Sequence, residues 1–269
     1  MLKKSAKITY SFLNFIGFLA VVIVNALAVI LPINNRTTQE LSDKYPNLFV
    51  PAGITFSIWG IIYLLLLVFI IYQFIVAFRK SSLERDIFEK IGILFFISCI
   101  FNVAWIFAWH YEIVWLSLII MVLFLISLIS IYVRLGTGKP GIRNSEKIMV
   151  NIPFSVYLGW ITIATIANTT AFLVKINWNK FGISDQLWAV IVIAVGVIIT
   201  LAIVFSRNDI FYSLVVIWAL IGILLKRIAD NSMPDQMVII SSIVGMSITG
   251  LATIIQLIRK KKILQNLCT

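Results

Sequence analysis

Asn151–Asn168, NIPFSVYLGWITIATIAN, decides how this chain is read. It lies inside an apolar run long enough to cross a membrane. Within it Pro153, Tyr157, Trp160, Ala164 and Asn168 recur at steps of three or four residues, which on a helix places them on one face. Lipid offers no partner to an Asn amide, a Tyr hydroxyl or an indole N–H at mid-depth. That face therefore points at protein or at a bound molecule.

The surrounding composition is that of a membrane protein. Hydrophobic residues make up 61% of the 269 and charged residues 12%, and mean hydropathy is +1.04. A soluble domain is about half apolar and about a quarter charged. A spanning helix needs ~20 mostly apolar residues, and eight runs qualify as candidates: about 8–33, 53–78, 91–109, 113–133, 148–174, 187–206, 210–226 and 237–258. They leave no room for a soluble domain of useful size. The first run is too long for a removable signal peptide and is followed by Asn34-Asn35-Arg36 rather than small cleavage-site residues, so it reads as a retained span. The run at 210–226 is the shortest.

A net charge of +11 raises the question of nucleic acid, but its distribution answers against it. Lys3, Lys4 and Lys7 precede the first run; Arg79, Lys80, Arg85 and Lys90 follow the second; Arg134, Lys139, Arg143 and Lys147 follow the fourth; Arg207 follows the sixth; Arg259 to Lys262 follow the eighth. Alternate connections hold only Arg36, Lys44, Lys175, Lys180, Lys226 and Arg227. Sixteen of the 22 basic residues thus fall on one side. This positive-inside pattern places both termini in the cytoplasm of a cell-membrane protein with an even number of spans. The terminal RKKK is read as a topology anchor, with contact to anionic headgroups as its alternative.

Classical catalytic chemistry has no residues here. There is no Gly-rich phosphate loop, no Ser-His-Asp order and no pair of carboxylates, and no Cys/His cluster has metal-ligand spacing. Cys99 and Cys268 cannot meet in this topology. The single His, His110, sits in the turn Trp109-His110-Tyr111-Glu112 and reads as solvated. The spans carry no Asp, Glu, Lys or Arg near their centres, unlike ion-coupled transporters.

Neutral polar and aromatic residues form stripes instead. The first run carries Asn14 and Asn25 with Gly17 and Val21 between them. The second carries Pro51, Thr55, Trp59 and Tyr63, and the third Ser98, Asn102, Trp105 and Trp109. With the stripe of the fifth run these pool around one cavity, or else they glue helices together. Trp109, Tyr111, Trp115, Trp178 and Trp188, near span ends, read as interfacial belts. Trp59, Trp105 and Trp160, deeper, read as pocket residues.

Three blocks carry a resemblance. Pro51, Phe56, Trp59 and Tyr63 follow a turn into a helix. Asn102, Trp105, Phe107 and Trp109 give an Asn followed three residues later by Trp. Pro153, Tyr157, Trp160, Ala164 and Asn168 give a Pro–Tyr–Trp helix ending in Ala-x-x-x-Asn. In order and spacing, across about residues 8–174, they resemble the tryptophan-rich sensory protein (TspO/MBR) family, also called translocator proteins or peripheral benzodiazepine receptor relatives. The resemblance implies a five-helix bundle with a ligand cavity near one membrane face, and a porphyrin, sterol or drug-like ligand. In some bacterial members it implies light-dependent porphyrin breakdown. By motif position it implies Trp59 and Trp160 as the implicated Trp residues and Asn102 as a pocket Asn. Together with the stripes this gives Trp59, Tyr63, Asn102, Trp105, Tyr157, Trp160 and Asn168 as the expected ligand-binding residues, with no catalytic or metal residue and no cofactor beyond the ligand.

The chain departs from the family pattern in three ways. It has a single proline at Pro51, it separates Pro153 from Tyr157 by three residues, and it lacks a basic residue soon after Asn168, which argues against sterol at that end. Leu128, Tyr132 and Arg134 fit a generic cholesterol pattern that is too permissive to use.

The sequence reading is an all-α polytopic membrane protein. Residues 1–180 form a translocator-like five-helix bundle, and residues 181–269 a three-helix extension with a basic tail. Ser241, Gly245 and Thr249 give the last span a small-residue face, for packing on the bundle or for a homo-oligomer. All seven site residues lie before residue 180, so the ligand site is expected to be complete without the extension. Three functions remain in view. One is a sensor, carrier, scavenger or receptor for a hydrophobic or planar small molecule such as a porphyrin, working within the lipid bilayer. A second is a scaffold or accessory subunit whose stripes only pack helices. A third is an enzyme acting on a lipid-soluble pigment, for which no acid, base or metal site is visible.

Overall fold

The computed structural model describes residues 3–78, 86–229 and 235–266, and no strand occurs among them. Arg79, Lys80, Arg85 and Cys268, used above, lie outside the described residues, as do the side chains of Lys260, Lys261 and Lys262. The helices are α1 (Lys4–Ile30), α2 (Thr38–Asp43), α3 (Ile58–Phe78), α4 (Asp86–Ile91), α5 (Leu94–His110), α6 (Val114–Leu135), α7 (Asn144–Lys175), α8 (Asp185–Arg207), α9 (Ile210–Ala229) and α10 (Gln236–Asn266). Among the described residues seven helices are long and apolar enough to cross a membrane: α1, α3 with its leading turn Gly53–Ser57, α6, α7, α8, α9 and α10. The chain is an all-α polytopic membrane protein.

Two runs differ from expectation. The third starts late: a separate short helix, α4, ends at Gly92, whose φ of +51° lies in the left-handed region, and α5 begins two residues later. At 17 residues, α5 is only about 25 Å long. The seventh run, α9, extends to Ala229 and reaches 20 residues, because Lys226 and Arg227 continue its last turn.

Helix ends follow local chemistry. The α1 helix stops just ahead of Pro32, which disfavours helical geometry at Leu31. The α6 helix closes on Gly136 at φ +68°. Near its start α7 widens into a π turn, Lys147–Asn151, directly before Pro153. Proline lacks the N–H that would reach four residues back, and a wider turn absorbs that loss. Ser184 Oγ accepts from Leu187 N at 3.2 Å to start α8.

The α7 helix is the axis of the molecule. It packs against α3, α6, α8 and α9, and every residue from 153 to 161 is buried. Two thirds of its apolar window, 67%, is buried against 33% for α1. The polar face read from the sequence is therefore part of a helix buried all round, which has no lipid face over those turns.

The extension is built into this core. A Cβ on Gly159 would lie 3.1 Å from Val215 Cβ and 3.2 Å from the Tyr212 carbonyl oxygen, so α9 packs directly on the α7 backbone. Gly222 is tighter: its carbonyl accepts from Ala52 N at 2.8 Å, and a Cβ there would fall 1.9 Å from Thr55 Oγ1. Trp218 Nε1 donates to Thr55 O at 3.0 Å. The small-residue face of α10 turns inward, with Gly245 against Val197 and Leu220 and with Thr249 fully buried. That face is engaged within the chain.

Residues 31–57 form a strap across one end of the bundle. A capping box on Thr37 and Glu40 starts α2. Asn34 Nδ2 donates to His110 O at 3.0 Å, Trp109 Nε1 to Thr38 O at 3.4 Å, and Lys226 Nζ to Asp43 Oδ1 at 2.8 Å. Glu112, in the α5–α6 turn, is the clasp. It accepts from Lys44 Nζ, from Tyr45 Oη at 3.2 Å, and lies 3.8 Å from Arg36. The Lys44 hydrogen bond first, then the Tyr45 hydrogen bond and the charges of Lys44 and Arg36, hold the Glu112 carboxyl below its ordinary value against the opposing effect of desolvation.

Two predictions follow from this packing. Gly222→Ala should lower the thermal midpoint of the detergent-solubilised protein, by the equivalent of about 1–3 kcal/mol of overpacking. Gly250→Ala, which meets nothing within 4 Å, should leave it unchanged or slightly raised. The clasp predicts a pH dependence. Because the folded pKa of Glu112 is depressed, its contribution is complete above the ordinary carboxyl value of 4.5 and is lost as pH falls below that through the folded value. Protection of amides 37–45 from hydrogen exchange should hold from pH 8 to 5 and weaken below about 4.5. Glu112→Gln should show weakened protection at every pH.

Candidate functional site

The deep polar side chains first meet one another. Asn25 Nδ2 donates to Asn102 Oδ1 at 2.7 Å, and Asn102 Nδ2 donates to Tyr157 Oη at 3.1 Å, which ties α1, α5 and α7 together. Asn14 Nδ2 donates to Gln73 Oε1 at 3.0 Å, joining α1 to α3. Asn102 and Tyr157 are thus engaged in helix-to-helix bonds and do not reach a cavity wall. Tyr63 is beside them, stacked on Trp59 at 5.5 Å between ring centroids, and also stands back from the wall.

One turn toward the strap a pocket opens. Trp59, Trp105, Trp109 and Trp160 line it with Phe56, Ile163, Ala164, Ala167 and Asn168. Thr38, Ser42, Phe49 and Pro51 of the strap roof it, and Ala219 and Ile223 of α9 complete the wall. The rings hold each other edge to face: Trp160 lies 6.2 Å from Trp59 and 6.1 Å from Phe56. Trp105 stacks on Trp109 at 6.2 Å. Such contacts favour a fixed aromatic wall over a collapsing one.

Two features define what this pocket accepts. Trp105 and Trp160 are 6% and 3% exposed, and the Nε1 of each has no hydrogen-bond partner. A buried donor left alone costs about 1–3 kcal/mol. Asn168 Oδ1 meets Ser117 Oγ at 3.2 Å. No lining residue carries a charge. The pocket's volume is about 50 Å³, room for about three or four waters.

Of the seven expected ligand residues, the structure brings Trp59, Trp105, Trp160 and Asn168 to the pocket wall and leaves Tyr63, Asn102 and Tyr157 behind it. Trp109, read as an interfacial residue, lines the pocket instead, because the strap covers the end of α5 and removes it from the bilayer interface. The same cover corrects the reading of His110: it is fully buried, with Nδ1 3.0 Å from Ile33 O and Nε2 3.1 Å from Thr38 Oγ1. Trp115 and Tyr111 remain exposed at 57% and 60%, as a belt requires. Phe107 is exposed on the outer face of α5. Tyr132 is buried on Asp209, 2.8 Å from Oδ2, so the generic cholesterol pattern does not face lipid.

Several residues escaped the sequence, Ala219, Ile223 and Asp209 among them. Ala219 and Ile223 are small or plainly apolar and carry no signal of their own. They also show that the pocket is not complete within residues 1–180. Asp209, a lone acid in the α8–α9 turn, is 4% exposed and organises that turn through Phe211 N and Tyr212 N at 3.1 and 3.2 Å. Its position as a helix N-cap was the available signal. Among the described residues no three His, Cys, Asp or Glu side chains gather as a metal site.

No curated protein and no solved structure matches the chain. The family model described as TSPO-like protein matches residues 11–255, running through α8, α9 and most of α10 as well as the spans that carry the tryptophan pocket, and the chain belongs to that TSPO-like family.

Proposed function

We propose that this protein binds a planar, largely apolar small molecule of the tetrapyrrole type in the tryptophan pocket, as a sensor, carrier or scavenger. The observation that carries the reading is the pair of buried indole N–H groups, Trp105 and Trp160, without acceptors in a wall of four Trp rings. A flat ligand stacks on such a wall, and a carbonyl or carboxylate at its edge satisfies the two donors. Residues 1–180 supply most of the site and the extension supplies two apolar side chains, Ala219 and Ile223, that complete its wall. Because the pocket has room for only about three or four waters, entry of a porphyrin-sized guest proceeds with opening of the strap.

A second reading, a scaffold without a ligand, draws support from the Asn25–Asn102–Tyr157 and Asn14–Gln73 bonds, which use polar stripes to pack helices. Fluorescence titration separates the two. Protoporphyrin IX should quench the tryptophan emission of the purified protein saturably. Trp160→Phe should weaken binding modestly, and Trp160→Ala about tenfold or more, equivalent to ~1.4 kcal/mol. Linear, non-saturating quenching with every member of a porphyrin panel favours the scaffold.

We further place both termini in the cytoplasm of the cell membrane. Sixteen of the 22 basic residues support this orientation, with α5 counted as an eighth crossing. A reporter fused after Lys262 should be active only when its enzyme works in the cytoplasm. An external reporter signal there removes the eight-crossing arrangement.

A further inference from the structure

At the opposite end of α7 from the tryptophan pocket lies a second, wider cavity. It is walled by the α6–α7 connection, the first turns of α7, the α8–α9 turn and the end of α10. About 580 Å³ is open to the centres of water-sized spheres. Three cations line it, Lys139, Lys147 and Arg259, and among the described residues none of them makes an ion pair or a side-chain hydrogen bond.

The one carboxylate in the wall does not neutralise them. Asp209 Oδ1 accepts from Phe211 N and Tyr212 N, and Oδ2 accepts from Tyr132 Oη and from Ser155 Oγ. Both oxygens are already filled by neutral donors. Three positive charges thus stand in the wall without an ion-pair partner, against the single negative charge of Asp209.

A second observation points to the ligand. Asn151 is 3% exposed and lines this cavity. Its Nδ2 donates to Thr137 Oγ1 at 3.1 Å, and its Oδ1 has no partner. A hydroxyl pairs with either end of an amide, so in either amide orientation one group of Asn151 is left for a guest. With Oδ1 the unpartnered end, that guest supplies a donor.

We propose that this cavity is a site for an anionic phospholipid headgroup that carries a free hydroxyl. The phosphate sits among Lys139, Lys147 and Arg259, and the headgroup hydroxyl donates to Asn151 Oδ1. The site lies at an end of a membrane-spanning bundle, where headgroups are the abundant phosphate esters, and it shares no residue with the tryptophan pocket.

Native mass spectrometry of the full-length protein tests this, with phosphatidylglycerol, phosphatidic acid and phosphatidylcholine offered in turn. One phosphatidylglycerol per chain should be retained in preference to phosphatidylcholine. Lys147→Gln combined with Arg259→Gln should cut its occupancy constant about tenfold, and both are solvent-reaching positions that leave the fold intact. Asn151→Leu should remove the preference for phosphatidylglycerol over phosphatidic acid, which has the phosphate without the glycerol hydroxyl. Equal retention of phosphatidylcholine, or retention indifferent to the double substitution, overturns the proposal. Displacement by equimolar glycerol 3-phosphate overturns the lipid assignment, since a solute then suffices.

Discussion

Asn102 accepts from Asn25 and donates to Tyr157, and the arrangement of the bundle depends on these two hydrogen bonds. In lipid there is no hydrophobic force to draw helices together, so contact geometry and buried hydrogen bonds set their register. The pair ties α1, α5 and α7 at one depth. Trp105 follows Asn102 by three residues and Trp160 follows Tyr157 by three, so fixing the two polar groups sets both indoles on the same wall one turn further along. The helix glue and the pocket are successive turns of the same stripes.

The pocket is a compromise between closure and access. Its aromatic wall is held by ring-to-ring contacts, while its roof is held by polar contacts at the rim: Glu112 with Lys44, Tyr45 and Arg36 on one side, and Lys226 with Asp43 on the other. Rim ion pairs are individually weak and sensitive to pH and salt. The roof is also held from within, by Trp109 Nε1 on Thr38 O, Trp218 Nε1 on Thr55 O and Ala52 N on Gly222 O, and the interior it covers has only about 50 Å³ of room.

The helices beyond residue 180 change the character of the fold. Gly159 and Gly222 bring α9 against the backbones of α7 and of the turn into α3, and Ala52 N finds its acceptor on Gly222. Buried backbone groups of the strap are thereby satisfied by the extension. At the other end Asp209 collects Tyr132 and Ser155 from α6 and α7. Packing is continuous across the point where the sequence pattern divides.

Membrane class, the spans and the tryptophan stripes were legible in the sequence, because lipid imposes length and apolarity on each helix separately and a helix repeats every three to four residues. Asn151–Asn168 thus announced a helix that could not face lipid. The tertiary structure alone decided which polar residue meets protein and which meets a cavity. Asn102 and Asn168 look alike in the stripe, yet the first is spent on bonds among three helices, while the second accepts from Ser117 and also lines the pocket. It also decided that Trp109 and His110 are buried, since only the folded strap covers the end of α5. Ala219 and Ile223 entered the site for the same reason: they carry no chemistry that a pattern can flag, and what places them is the distance of closest approach that Gly159 and Gly222 permit.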